Sequence, residues 1–435
     1  MGADTDMLSG SIRRFAEQFA FADTYGSLMT VTAPADIDTA FSDFMPTIGL
    51  NMRQFDMMMK IYKILSQKYD VVCTNPPYMG GSGMNAKLSE FVKSKFPDSK
   101  SDLFACFIEK CGQLAKPHGF YAMITQHAFM FLSSYENLRR KLMLKTTVNM
   151  AHLGARAFDE IGGEVVQTTA FVMTGHIKDY KGTYARLVDT VGENEKRDLF
   201  LSGDKRFAAK QENFSKIPGM PVAYWVSENF IRAFERGISI DSISDFTGSQ
   251  HITANNDKYL RLHWEIDANK VGMGKKWVYY AKGGDFRKWY GNIELVVDWS
   301  EGAVQYYKTN STSNLLAEKY RFKEGITYTE LTSSVNTFRY LPPVCIFDKK
   351  GPSIVSVKKL WYCLGIFGTK IAPLYFAILN PTLSTQVRDV KNLPIIVNGE
   401  IEPKIDEIVK ENVEICKQDW NDFETSWGFE KHPLI

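Results

Sequence analysis

Tyr69-Asp70-Val71-Val72-Cys73-Thr74-Asn75-Pro76-Pro77-Tyr78 decides how this chain is read. Its first six residues are a short, apolar, β-branched run of the kind that forms a buried strand. Proline cannot donate to a strand ladder, so Pro76 and Pro77 stop the strand abruptly. The loop that follows leaves the carboxyl end of a strand, where open α/β sheets form their ligand crevice. From ordinary residue usage, a specified Asn-Pro-Pro-Tyr arises by chance in about one chain per thousand of this length.

The four residues suit one chemistry. An exocyclic amino group on a purine is conjugated with its ring, so its lone pair is a poor nucleophile. The side-chain oxygen of Asn75 and the backbone carbonyl of Pro76 are two acceptors for an amino group with two hydrogens, and bonding to both would stabilise positive charge developing on the nitrogen. Pro76 and Pro77 restrict their own φ angles and those of the residues before them, which fixes the carbonyl before substrate arrives. Tyr78 offers a face for a base that has left its stack. No general base is required, because the methylated nitrogen becomes acidic enough to lose its proton to water.

Working outward, Phe55, Met58, Met59 and Tyr62 fall on one face of a helix spanning Arg53 to Leu65. After the motif, Leu103, Phe104, Phe107, Ile108, Cys111 and Leu114 keep helical spacing behind Asp102, which favours the helix N-terminus, with Pro117 and Gly119 as the stop. A strand at Phe120 to Thr125, a helix about Ser134 to Leu144 and strands near Val148 to Leu153 and Glu164 to Met173 complete an open α/β pattern. Before it, a short amphipathic helix around Ile12 to Phe19 and a Pro/Gly/Ser/Asp-containing stretch from Thr32 to Phe41 do not make a domain. Past about Lys178 the texture becomes short aromatic and β-branched runs without helix alternation, until a helical pattern at Glu402 to Trp420. The expected division is a catalytic region over 1–180 and a second, mixed region over 181–435.

The chain has 435 residues, 44% hydrophobic and 23% charged, which is the composition of a folded globular protein. A net charge of +2 gives no global argument for nucleic acid, so that argument rests on local clusters. Six cysteines and seven histidines form no C-x-x-C or H-x-x-x-H pair, so the thiols are expected reduced and buried, with no metal. No apolar stretch reaches the length of a membrane span, and the expectation is a soluble, cytoplasmic protein. No nuclease centre of the P-D-x(n)-E-x-K kind is found.

These segments resemble the amino-methyltransferases. Asn75 to Tyr78 is similar to their motif IV, followed in the family's order by Asp102-Leu103-Phe104, the strand from Gly119 to Thr125, and Phe158 ahead of Thr168-Thr169-Ala170-Phe171. Gly283-Gly284-Asp285-Phe286-Arg287-Lys288-Trp289-Tyr290-Gly291-Asn292, the run from Arg321 to Tyr328, Asn380-Pro381-Thr382 and the ending from Asp419 to Trp427 resemble the PglX-type methyltransferases of BREX phage-defence systems, with type IIG and type I modification enzymes as relatives. The resemblance implies an α/β fold: a partial class I, Rossmann-like methyltransferase sheet lacking its first strands, followed by a mixed α+β target-recognition domain. It implies site-specific methylation of adenine N6 in double-stranded DNA, with S-adenosylmethionine as donor, Asn75, Pro76, Pro77 and Tyr78 as catalytic residues, and Phe158 stacking on the flipped base opposite Tyr78. The family's donor-binding Gly-rich turn has no counterpart between Met1 and Thr74. Gly80-Gly81-Ser82-Gly83 comes after motif IV and reads as a substrate-side loop. The chain is thus expected to be the C-terminal portion of a larger methyltransferase, incomplete for the donor, inactive alone, and partnered by DNA, by the missing N-terminal part or by other defence-system subunits.

For DNA contact the sequence offers two mixed basic and aromatic clusters, Lys275, Lys276, Trp277, Tyr279, Tyr280, Lys282, Arg287, Lys288, Trp289 and Tyr290, and Lys319, Tyr320, Arg321, Phe322, Lys323, Arg339 and Tyr340. Two alternatives stay open: methylation of a protein glutamine or an RNA guanine by the same turn, and a non-catalytic DNA-binding module.

Overall fold

The computed structural model describes residues 13–33, 37, 52–158, 166–246, 250–331, 335–380 and 385–435. Ile12, Glu164, Pro381, Thr382 and most of the stretch between Thr32 and Phe41 lie outside them. The chain forms two compact units, one running to Ser215 and including Gly219–Trp225, the other covering 216–218 and Val226–Ile435. The division therefore falls near residue 225 rather than 180, because two further strands extend the first sheet.

The first unit contains α1 (Met52–Ser66), β1 (Tyr69–Thr74), α2 (Ala86–Lys95), α3 (Leu103–Leu114), β2 (Ala115–Gln126), α4 (Glu136–Leu142), β3 (Thr146–Gly154), β4 (Thr168–Thr174), β5 (Lys181–Arg186), α5 (Glu193–Ser202) and β6 (Arg206–Lys210). Its sheet has the order β1-β2-β4-β3-β5-β6. β1 runs parallel to β2, and β3 to β5, while β4 is antiparallel to both β2 and β3. The carboxyl ends of β1, β2, β3 and β5 consequently share one edge.

α3 begins at Leu103 because the Asp102 side chain caps it by accepting from the Phe104 N–H. It does not run to Pro117. β2 begins at Ala115, and the residues from Lys116 to Gly119 form an irregularity between the Tyr69–Ala115 and Val71–Phe120 pairs. α2 has no counterpart in the sequence reading, although Asn85 caps it by accepting from Leu88 N–H at 2.9 Å and Leu88 and Val92 are buried beside Leu103.

One face of the sheet is packed. Phe104, Ile108 and Cys111 of α3 and Leu138 and Leu142 of α4 bury Tyr121, Met123, Met150, Phe171 and Met173. On the other face, Val71 is 63% exposed and Phe120 42% exposed, and Cys73 is exposed too, unlike Cys106, Cys111, Cys345 and Cys363. The buried strand expected at Tyr69–Thr74 is thus an edge strand. Its apolar composition matches a strand covered on both faces, yet the described residues cover only one.

The second unit is mixed. The strands Leu260–Leu262, Trp277–Ala281, Leu295–Asp298 and Cys345–Phe347 make one sheet, and Asp245–Phe246, Gly325–Tyr328, Phe338–Leu341 and Ser353–Val355 another. Two apolar helices missed in the sequence, Leu360–Gly368 and Ala372–Leu379, pack with the helix Glu402–Asn421 into the core around Phe338 and Ile354. Those two form a bent apolar pair, and no single helix among the described residues is long and apolar enough to cross a membrane.

Trp289 shows how tightly this unit is fitted. Its φ of +67° lies in the left-handed region, which costs a bulky residue about 1–3 kcal/mol. It is held there by Trp289 N–H donating to Phe338 O at 3.1 Å and Tyr340 N–H to Trp289 O at 2.8 Å. The ring lies against Gly368, where a Cβ would stand 2.2 Å from Trp289 Cη2. Gly368→Ala is therefore expected to destabilise the protein by about 1–3 kcal/mol by overpacking, read as an earlier urea midpoint. An unchanged midpoint would mean that the ring moves aside freely.

Candidate functional site

The Asn75–Tyr78 turn leaves β1 at the edge where the parallel strands end. Asn75 is exposed, and its amide has no hydrogen-bond partner among the described residues. Pro76 is buried and Pro77 exposed, so the turn is anchored at its second residue and open at its first and third. Tyr78 is half-buried, with its ring edge-to-face on Phe104 at 6.2 Å and 83°.

What fixes the turn is Asp102, which the sequence marks as a helix-start signal and as the head of the Asp102-Leu103-Phe104 segment, without linking it to the turn. Asp102 Oδ1 accepts the Met79 N–H at 2.9 Å and the Phe104 N–H at 3.3 Å. Leu103 N–H donates back to Met79 O at 3.1 Å, and Gly81 N–H to Ser101 O at 3.2 Å. One carboxylate thus joins the segment after Tyr78 to the start of α3. Burial lifts the Asp102 carboxyl above its ordinary range, opposed by the backbone N–H groups of Met79, Phe104 and Leu103. Burial and then the Asp102 charge raise the Tyr78 phenol, which keeps it protonated and neutral. The Asp-Leu-Phe start of an apolar helix shortly after a turn is the signal for such a clamp.

Asn75 also borders a cleft of about 750 Å³ with Cys73, Ala122, Ile124, Val148 and Val172. This cleft is the uncovered sheet face, and Pro76, Pro77 and Tyr78 do not line it. Its walls are mostly apolar, with Asn149, Thr183 and Arg206 among the polar residues that line it. Phe158, half-buried, follows β3 in the loop that returns to β4 at the same edge. No strand among the described residues pairs with the free edge of β1, and no Gly-rich turn precedes Tyr69. The described residues therefore do not fit S-adenosylmethionine as a complete donor site. Among them, no three His, Cys, Asp or Glu side chains gather as metal ligands would.

In the second unit the basic and aromatic residues separate by burial. Tyr290 and Arg339 are interior, at 4% and 1% exposure. Arg339 bonds to Arg287 O at 3.4 Å and Thr329 Oγ1 at 3.3 Å. Arg287 lies 4.6 Å over the Trp420 ring and pairs with Asp419 at 3.1 Å. Trp289 packs as described. These four hold the fold together, and burial removes Tyr290 and Arg339 from any DNA-facing surface. Lys275, Lys276, Lys288 and Lys323 are exposed, and Arg321 is half-buried, its Nε donating to Leu316 O at 2.7 Å.

Asp102→Ala is expected to free the Met79 and Phe104 amides and lower stability by about 1.5–3 kcal/mol, the range for hydrogen bonds to a charged acceptor. Amide hydrogen exchange at Met79 and Phe104 should accelerate with it. Unchanged exchange at both positions would show that Asp102 does not clamp the turn.

The family described as Eco57I restriction-modification methylase matches residues 28–155. The chain is 34% identical over 98% of its length to the adenine-specific methyltransferase PglX of Lacticaseibacillus casei (strain Zhang), covering 38% of that protein. It is 37% identical over 96% of its length to the adenine-specific methyltransferase BrxX of Escherichia coli O9:H4 (strain HS), covering 36% of it. The chain thus spans little more than a third of the relatives it matches. Among solved structures, the type IIL restriction-modification enzyme MmeI, determined in complex with DNA, is similar in fold, with a TM-score of 0.53 at 11% identity over 83% of this chain and 51% of that one.

Proposed function

The chain belongs by sequence to the family of the adenine-specific methyltransferases PglX and BrxX, and on that premise we propose that it carries the base-methylating turn and the target-recognition region of an adenine N6 DNA methyltransferase acting in phage defence or restriction-modification. The observation that carries the reading is the Asn75 amide, exposed and without a partner among the described residues, on a turn that Pro76 and the Asp102 clamp hold rigid. A preorganised acceptor of this kind suits an amino group whose nitrogen gains positive charge as it is methylated.

In this reading the target adenine leaves the duplex, because its amino group is unreachable within the stack. The Asn75 side-chain oxygen and the Pro76 carbonyl accept its two N6 hydrogens. Tyr78 stacks on one face of the base and Phe158 on the other. S-adenosylmethionine supplies the electrophilic methyl group when bound. The sheet is part of a class I, Rossmann-like arrangement whose donor-binding strands pair with the free edge of β1 and whose helices cover the apolar face bearing Val71 and Phe120. That placement accounts for a strand of core composition lying at an edge.

The second unit reads double-stranded DNA as a target-recognition domain, gripping phosphates through Lys275, Lys276, Lys288 and Lys323. A second reading, a DNA-binding module without catalysis, is favoured by the incomplete donor site. Calorimetry with S-adenosylmethionine separates them, since a clear isotherm for this chain would sink the module.

In the complete enzyme, Asn75→Ala is expected to reduce methyl transfer to plasmid DNA by at least about a hundredfold, the scale for losing one preorganised polar group, and Tyr78→Ala to cost it about 1–3 kcal/mol, the worth of base–aromatic stacking, with DNA affinity little changed. Methylation at the wild-type rate in Asn75→Ala would overturn the assignment. Lys275→Ala with Lys276→Ala should lower the slope of log affinity against log salt by about two, one for each phosphate left without its lysine. A slope equal to that of the wild type would remove that pair from the interface.

A further inference from the structure

His127, half-buried, and His152, buried, form a pair that the methylation turn does not use. His127 directly follows β2, and His152 lies near the end of β3, so both stand at the edge of the sheet that carries Asn75. His127 Nδ1 lies 2.8 Å from His152 Nε2, and His152 Nδ1 lies 3.1 Å from the Tyr224 hydroxyl. His152 and Tyr224 are 4% and 3% exposed. The pair also grips both feet of the loop that carries Phe158. His152 sits two residues before β3 ends, and the His127 N–H donates to Gln167 O at 2.9 Å, where the loop rejoins β4.

Neither ring is charged. Burial pushes His127 down to about 4. Burial, then His127, Arg186 and Lys196, hold His152 well below its ordinary value. The charged groups facing the pair are fixed: Arg186 pairs with Asp189, and the Lys196 ammonium donates to Leu153 O, Leu187 O and Thr190 O at 2.6 to 2.8 Å. A neutral imidazole carries one N–H, so a chain of two such rings and a hydroxyl has two consistent orderings of its protons. In one, Tyr224 O–H donates to His152 Nδ1, His152 Nε2–H donates to His127 Nδ1, and His127 keeps its proton on Nε2. In the other every bond reverses and the Tyr224 hydroxyl needs another acceptor. Among the described residues it has none besides His152, and an unmade bond from a buried hydroxyl is costly. The first ordering holds.

From this we infer that His127 presents a fixed Nε2–H donor to a hydrogen-bond acceptor on the extruded target nucleotide, a phosphate oxygen or a purine ring nitrogen, with His152 and Tyr224 as the positioning residues that set its tautomer. His127 Nε2 has no partner among the described residues, and His127 directly follows β2 at the carboxyl edge of the sheet, the edge from which the proposed base-binding turn leaves β1. The inference rests on the methyltransferase reading for its ligand, while its tautomer stands on the hydrogen-bond geometry and the neutral state of both rings.

Two measurements test it. In nitrogen-15 spectra of the histidine-labelled chain at pH 7, His127 should show a protonated Nε2 and a bare Nδ1, and Tyr224→Phe should shift or mix that pattern. A His127 protonated on Nδ1, or charged, overturns the proposal. In the complete enzyme, His127→Ala should raise the KM for DNA about tenfold, the worth of one neutral hydrogen bond, with His127→Gln restoring most of it and Tyr224→Phe falling between. Ordinary amplified DNA compared with DNA made with 7-deaza-dATP separates the acceptors. A wild-type loss on the deaza substrate that His127→Ala does not deepen points to the purine N7, and additive losses point to a phosphate oxygen or another ring nitrogen. A KM and kcat within twofold of wild type in His127→Ala defeat the proposal. If the wild-type enzyme methylates no DNA, the methyltransferase reading fails instead. DNA affinity measured by fluorescence anisotropy then decides whether His127 contacts the nucleic acid, and an affinity unchanged in His127→Ala overturns the proposal.

Discussion

The first unit depends on one buried carboxylate. Asp102 is at once the cap of α3 and the acceptor that holds Met79, so the helix cannot start elsewhere without releasing the turn, and the turn cannot move without uncapping the helix. A carboxylate is suited to this double duty because its oxygens accept bonds from several donors and its charge complements the positive end of the helix. The energetic conflict is visible in its raised pKa: burial works against the charge that the backbone N–H groups favour. Tyr78 inherits its surroundings from the same arrangement, with Phe104, the second residue of the capped helix, packed against its ring.

The sheet adds a second constraint. Strand side chains alternate between faces, so a strand that is apolar at every position is suited to cover on both sides. β1 and β2 carry apolar side chains on both faces along part of their length: Tyr121 and Met123 are buried under α3 and α4 while Val71 and Phe120 face outward. The exposure is a property of strands whose residues suit an interior. It accounts for the large apolar cleft lying on the sheet face instead of at the turn, and it supports the reading in which further chain completes this layer.

How far the sequence disclosed all this depended on the kind of signal. The Asn-Pro-Pro-Tyr turn was legible because its chemistry is local: two prolines fix the backbone whatever surrounds them. α3 was legible from Leu103 to Leu114 because its cap and its spacing agree. The edge position of β1 was not, since composition reports what a strand is suited to and not which neighbours it has. α2 was hidden behind the Gly-rich loop, and the helices Leu360–Gly368 and Ala372–Leu379 are apolar nearly all round, which erases the helical periodicity that would reveal them. The basic and aromatic clusters were least legible. Tyr290 and Arg339 sit within a few residues of other basic or aromatic side chains, yet tertiary packing takes them inside, and no local pattern separates an arginine that grips a phosphate from one that grips Arg287 O.

Topology explains why the parts of the candidate site share an edge at all. If every strand of the sheet ran the same way, the chain leaving β3 would have to cross back over a face before starting the next strand. β4 runs antiparallel between β2 and β3, so the loop between β3 and β4 begins and ends at the carboxyl edge. That single reversal brings Phe158 back to the edge where β1 delivers Asn75, and it places Gln167 within reach of His127 just beyond β2. The uncharged histidine pair then ties the end of β2, the end of β3 and the start of β4 together without a buried ion pair, whose desolvation would be costly among these aromatic rings. An edge built in this way is rigid at its base, so the polar groups at its rim, the Asn75 amide and the outer nitrogen of His127, are aimed by the fold itself.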